Sequence, residues 1–227
     1  MEVENDVDKV VSALHGMLRR RELVPGERVD QVRVAAACGV SKIPLREALR
    51  TLAAAKLVTY NKNRGYVVTR LTLSEMEQIY RLRDLVETEV LRNLEWPSVR
   101  VIRELRVCNE PFLEQGATRV WSGEALLRAN EEFHFLMFGL SRDTVFVQEA
   151  RRIWQIGEPY KALYLLDPEV RNVIGQQHES MIRALEARER QLLMSLMRNH
   201  RAMSRGPVTR LVGDSLAGPA VDPAGAA

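Results

Sequence analysis

The apolar positions of the chain fall into two spacings, and their order defines its parts. Val7, Val10, Val11, Leu14 and Leu18 recur at the three- and four-residue intervals of an amphipathic helix. Arg19-Arg20-Arg21 closes it with cations, which suits the negative end of the helix dipole. His15 lies one step off this stripe and reads as an ordinary surface histidine. Pro25-Gly26 turns the chain, and Asp30 can cap a short second helix that Gly39 ends. Ser41 can cap a third helix with Pro44 in its first turn, and Leu45, Ala48, Leu49 and Leu52 line one face of it. Leu57–Tyr60 and Tyr66–Arg70 read as two short β runs joined by Asn61-Lys62-Asn63-Arg64-Gly65.

From there every element reads as helical. Leu71-Thr72-Leu73 is a connector, and Ser74 with Glu77 forms a capping box that opens a helix to about Leu94. Further helices are predicted over 98–114, from Ser122 to about Leu140, from an Asp143 cap with a disturbance near Gly157 and Pro159, from Asp167-Pro168 to about Ala187, and over 189–204. That makes six, with room for a seventh between Asn109 and Gly123. After Gly206 the chain fills with Gly, Pro, Ala and Asp and has no aromatic residue, as in a disordered tail. The predicted fold is therefore mainly α. A winged helix-turn-helix with a small β-hairpin (1–70) is followed by a linker (71–73), an all-α bundle of six or seven helices (74–205) and a disordered tail (206–227).

Charge sharpens the picture. Residues 9–70 hold 13 Lys and Arg against 4 Asp and Glu, whereas residues 71–227 hold 20 against 22. Lys42, Arg46 and Arg50 lie opposite the apolar face of the third helix, and Lys62 and Arg64 sit at the hairpin tip beside Gly65. A helix of this width fits the major groove of DNA, and its cations meet phosphates and base edges. The alternative is a small helical bundle with a solvated basic face. No run of 18 apolar residues exists, the N-terminus lacks a signal peptide's apolar core, and Cys38 and Cys108 make no disulfide framework. A cytoplasmic protein without a membrane partner is expected.

Several polar residues fall on apolar helix faces. Arg83 shares a face with Ile79, which implies either a structural salt bridge or an anion-binding residue. His134 shares a face with Asn130, Leu126 and Met137; His178 with Ile174, Met181 and Ile182; His200 with Leu193, Leu196 and Met197. Each could be a core histidine with its own hydrogen-bond partner, or one ion could satisfy all three, since imidazole suits Zn, Ni, Cu or Fe. A metalloenzyme would need a general base, and Glu131, Glu132 and Glu179 do not share the histidines' faces.

Gly39-Val40-Ser41-Lys42-Ile43-Pro44-Leu45-Arg46-Glu47-Ala48-Leu49, with Pro25-Gly26-Glu27 before it and Asn63-Arg64-Gly65 after it, closely resembles the DNA-binding domain of the GntR family of bacterial transcription regulators. The resemblance implies DNA contacts at Ser41, Lys42, Arg46 and Gly65. Lys42 and Ile43 stand where the family usually has Arg and Thr, which changes the operator rather than the role. Asn130-Glu131-Glu132-Phe133-His134, His178-Glu179-Ser180-Met181-Ile182-Arg183-Ala184-Leu185 and Met197-Arg198-Asn199-His200 are similar to the ligand-binding (FCD) domain of the FadR-type subgroup. Many members of that subgroup bind a metal through Asp and three His beneath a cavity for a small carboxylate. The resemblance implies His134, His178 and His200 as ligands of a divalent metal, zinc or nickel, with Asn130 at the Asp position and Arg83 available to an effector carboxylate. The expected function is a dimeric, ligand-responsive repressor of operator DNA. A metal-sensing regulator is the alternative.

Overall fold

The computed structural model describes residues 5–113, 121–165 and 167–216. The N-terminal head begins with α1 (Asp6–Arg19), whose cap Asn5 accepts from the Asp8 amide at 2.9 Å. In α2 (Gln31–Cys38) the Asp30 carboxylate accepts from the Val32 and Arg33 amides. Gly39 ends that helix at φ 64°, a left-handed conformation that glycine adopts without steric cost. In α3 (Lys42–Ala54) Ser41 occupies the cap position but makes no side-chain cap bond. The wing is β1 (Val58–Asn61) paired antiparallel with β2 (Gly65–Val68), with Val58 opposite Val68 and Asn61 opposite Gly65. Leu14, Leu18, Val34, Leu45, Leu49, Leu52 and Val68 close one core among these elements.

The helical domain starts two residues earlier than the Ser74–Glu77 pattern predicts. Thr72 and Glu75 form the capping box: the Thr72 hydroxyl accepts from the Glu75 amide, and the Glu75 carboxylate accepts from the Thr72 amide at 2.8 Å. The helices are α4 (Leu73–Arg92), α5 (Val99–Leu113), α6 (Gly123–Phe138), α7 (Thr144–Ile156), α8 (Glu158–Tyr164), α9 (Pro168–Glu186) and α10 (Arg190–Leu216). Ser122 and Asp167 cap α6 and α9 as predicted. Asp143 occupies the N-cap position of α7, but its carboxylate accepts from Asn93 Nδ2 at 2.6 Å rather than from an amide of that helix. The seventh described helix of this domain is α8. It arises where Gly157 interrupts the α7 pattern and Pro159 restarts it; the segment before Gly123 where a seventh helix was expected falls largely on residues 114–120, outside the described ones. Helix α4 packs on α7 and α10, and α5 packs on α6 and α9. Among the described residues no helix is long and apolar enough to cross a membrane.

The disordered tail expected from Gly206 onwards is not what the fold shows up to Leu216. Helix α10 continues through Pro207, and Val208 and Val212 are buried against Leu71, Met76, Tyr80 and Tyr160. The two valines are four residues apart, so they share one helix face, and that face covers the linker and the start of α4. Composition hid the pair among helix breakers. Residues 217–227 lie outside the described part. Val208→Asp, which buries a carboxylate in this cluster, is expected to lower the free energy of unfolding by about 2–4 kcal/mol in a denaturant titration. An unchanged midpoint would mean that this end of α10 does not dock.

Candidate nucleic-acid interface and metal centre

The outer face of the head carries the predicted DNA-reading residues together. Ser41, Lys42, Ile43, Arg46 and Arg50 are exposed along α3, and Lys62 and Arg64 are exposed at the wing tip. Gly65 takes φ 76° there and lets the strand leave a tight turn. Among the described residues none of Lys42, Arg46, Arg50, Lys62 or Arg64 has an acidic partner, in contrast to Arg19 and Arg20 nearby. A groove of about 910 Å³ runs along this face, lined by Lys42 and Arg46 and also by Arg28, Gln31 and Val32. The last three were not singled out from sequence. Arg28 is fixed by its bridge to Val67 of the wing, a contact between residues far apart in the chain. Unpaired cations on a convex helix beside a basic wing match the spacing and charge of duplex DNA.

Inside the helical domain, α6, α9 and α10 bring His134, His178 and His200 together. The three rings lie 5.0–5.1 Å apart, centroid to centroid. One ring nitrogen of each lies within 4.8 Å of the others. Two Zn–N bonds of about 2.0–2.1 Å at the tetrahedral angle hold their nitrogens about 3.4 Å apart, so the rings would have to turn inward to meet one ion. The hydrogen bonds orient the rings for it. Asn109 donates its amide to the Gly175 carbonyl at 2.9 Å, so its oxygen faces His178 Nδ1 at 3.1 Å and that nitrogen carries the proton. His178 Nε2 is then a buried lone pair without a partner. His200 Nδ1 likewise meets Gln177 Oε1 at 2.7 Å. Both nitrogens of His134 are buried and unpartnered.

Carbonyl oxygens behind two histidines, and orphaned nitrogens in front, are the arrangement of metal-binding imidazoles. Burial, reinforced by the neighbouring imidazoles and, at His134, by Arg83 and Lys161, holds His134 and His178 well below the usual histidine range. Burial followed by Arg83, Lys161 and Arg201 takes His200 to about 3. Neutral imidazoles are the form that binds metal. Gly175 makes the Asn109 contact geometrically feasible: a Cβ there would meet the Phe112 carbonyl at 2.9 Å. Asn130 is buried one turn before His134 on the same helix.

Arg83 is buried too, but its guanidinium is engaged. Nε donates to Glu87 at 2.7 Å, and the group lies 4.5 Å from the Trp154 ring centroid. Arg201 meets the other Glu87 oxygen at 3.1 Å and Asp84 at 2.5 Å. Two cations and two carboxylates therefore balance, and of the two readings of Arg83 the salt bridge is the one observed. A further buried basic group is one that sequence reading passed over. Lys161 of α8 is 4% exposed, has no hydrogen-bond partner and places Nζ 3.2 Å from the Trp154 centroid, while His134 lies 4.7 Å from that ring. Burial, then the Arg83 charge, takes its ammonium well below the usual lysine range. No local spacing marks Lys161, because its environment comes from α4, α7 and α8 together.

Helix α8 also faces the head. Glu158, 5% exposed, accepts from His15 Nδ1 at 2.8 Å and from Arg19 Nε, both on α1. Arg19 reaches on to Glu131 of α6 at 2.7 Å. The Tyr160 hydroxyl accepts from the Leu71 amide of the linker at 2.7 Å. Burial raises the Glu158 pKa, but the bonds and charges of His15 and Arg19 outweigh it and hold it below the usual carboxylate range. His15 is thus a joint residue rather than the surface histidine expected. Its one legible signal is that Arg19 follows four residues later on the same helix face.

A winged helix-turn-helix with unpaired cations, joined to an all-α domain that buries three converging histidines, is the architecture of a DNA-binding regulator. Residues 7–68 match the gntR family of bacterial regulatory proteins, and residues 78–203 match the FCD domain. The chain belongs to the gntR family, in its FCD-containing branch, whose members bind operator DNA through the head and small-molecule effectors through the FCD domain. It is 30% identical over 154 residues to the Nta operon transcriptional regulator of Aminobacter aminovorans, covering 68% of this chain and 71% of that one. It is 24% identical over 217 residues to the probable HTH-type transcriptional regulator LgoR of Escherichia coli K12, covering 89% and 68%. The same fold occurs in E. coli McbR/YncC (TM-score 0.74, 18% identity, 92% and 99% covered) and in a GntR regulator from Rhodococcus sp. RHA1 (0.71, 17%, 94% and 99%). The family and these relatives are transcription regulators, not enzymes.

Two expectations follow. Arg46→Ala lowers operator affinity by about 10–100-fold, the scale of one lost bidentate base contact, without moving the melting temperature, because the side chain is exposed; wild-type affinity would remove Arg46 from the interface. Lys161→Met raises stability at neutral pH by about 1–3 kcal/mol, since a buried amine whose desolvation outweighs its attraction to Glu87, Glu131 and Glu158 is replaced by an apolar chain of similar length. The folded Lys161 binds its proton less tightly than the unfolded one, so wild-type stability rises with pH and the gain shrinks towards pH 10. A loss of stability in the variant would show that the ammonium is compensated.

Proposed function

We propose that this protein is an effector-responsive repressor that binds its operator as a homodimer and is released by a small carboxylate. The effector sits beside a divalent metal, zinc or nickel, held by His134, His178 and His200. The observation that carries this reading is the set of orphaned nitrogens at His134 and His178, with Asn109 orienting His178 and Gln177 orienting His200 beside them. Three neutral imidazoles leave the ion its full charge, and a bound metal would supply a Lewis-acid contact for an anion. Asn130, adding at most a neutral amide oxygen, does not reduce that charge.

Further support comes from the surroundings. Lys161 offers a buried amine with no hydrogen-bond partner among the described residues, 3.2 Å from the Trp154 ring centroid, which lies 4.7 Å from that of His134. A largely apolar pocket of about 250 Å³ between Val170, Ile174, Met203 and Pro207 opens onto His200 and gives a small organic acid a route inward. Helix α8 carries Lys161 towards Trp154, Glu158 towards α1 and Tyr160 towards the linker within one turn. A shift of α8 on effector binding therefore moves the head directly. A differential stabilisation of about 1–3 kcal/mol changes DNA affinity 5–150-fold.

The test is metal content of the untagged protein by elemental mass spectrometry beside His134→Ala, followed by titration of the operator complex with small carboxylates, with and without zinc. About one equivalent of metal in the wild type, little in the variant, and release by a carboxylate only with metal present are expected. No metal in either protein after incubation with zinc or nickel would overturn the metal centre. Release by zinc alone would make the ion itself the signal.

A further inference from the structure

Two large apolar side chains stand on the DNA-reading face. Ile43, the second residue of α3, is 72% exposed, and Val32, in the first turn of α2, is 79% exposed. Neither belongs to the apolar core of the head. Val32 lines the same groove as Lys42 and Arg46. Ile43 directly follows Lys42 and precedes Arg46 by three residues, so it shares a helix face with that arginine. A scattered exposed hydrophobe needs no explanation. These two are different because unpaired cations flank them on the face a duplex covers.

The edges of bases in the major groove present hydrogen-bond donors and acceptors at each pair and a single apolar group, the C5-methyl of thymine. A branched aliphatic side chain can neither donate nor accept. Pressed against a base edge without a methyl, it strips water from polar atoms and returns no bond. Pressed against a thymine methyl, it removes apolar surface from water on both sides. We propose that Ile43 and Val32 read thymine C5-methyl groups and thereby fix thymine at defined positions of the operator. Lys42 and Arg46 flank them and supply the phosphate and purine contacts. The inference rests on DNA binding by the head alone and is independent of the effector and of the metal.

The test begins with an operator enriched by the full chain from a random duplex library. Each thymine of that duplex is replaced in turn by deoxyuridine, which lacks only the methyl, and affinity is measured by fluorescence anisotropy at fixed salt. At one or two thymines of each recognition site the exchange weakens binding about three- to fivefold, the scale of one methyl returned to water; elsewhere it changes binding less than twofold. In Ile43→Ser and Val32→Ser, whose parent side chains are outside the core, the penalty disappears at the matching thymine. A flat uracil scan with the wild-type protein, an enriched operator without fixed thymines, or a scan unchanged in the double variant would overturn the assignment.

Discussion

One buried carboxylate holds the DNA-reading head to the helical domain. Glu158 is almost fully enclosed, and an enclosed charge without a partner costs several kcal/mol. Both of its partners, His15 and Arg19, come from α1 of the head. The head therefore cannot turn on the helical domain without uncovering that charge. Arg19 spreads the constraint to Glu131 on α6, and Tyr160 pins the linker through the Leu71 amide. Val208 and Val212 of α10 then close over the same linker. Head orientation is in this way a property of the helical domain, set by a few hydrogen bonds and one apolar cluster.

The same short helix places Lys161 against Trp154 in the interior of the helical domain. Nearby, Arg83 and Arg201 pair with Glu87 and Asp84, whereas the Lys161 amine has no hydrogen-bond partner among the described residues. Beyond Trp154 lie the three histidines, oriented by Asn109 and Gln177. An interior this polar is expensive to assemble, and packing alone gives no reason for it. The orphaned imidazole nitrogens and the buried lysine are the groups that the proposed metal and effector would satisfy. Because α8 bears Lys161 and the head's anchor Glu158 three residues apart, the proposed occupancy would act on head orientation through one short helix.

Local spacing made the head readable. Gly39, Pro44 and the Leu45–Leu52 face act through contacts within a few residues, and the cations of α3 stand opposite a face whose burial is plain from its period. The three histidines were readable as inward-facing because each sits on an apolar stripe. Their convergence was not, since it depends on how α6, α9 and α10 pack. Asn109, Gln177, Lys161 and Glu158 were missed for the same reason: their roles exist only between helices distant in sequence. The α8 break at Gly157 was visible as a disturbance but not as a new helix. Past Gly206, composition pointed to disorder, and two valines in helical register outweighed it.

The most direct measurement is amide hydrogen exchange of the full-length protein, metal-free and zinc-loaded. Coupling through α8 predicts altered protection in the histidine-bearing segments of α6, α9 and α10, and equally in α8, at the Leu71 amide and in the His15–Arg19 end of α1. Changes confined to the three histidine helices, with α8 and the linker untouched, would contradict a cavity that sets the position of the head.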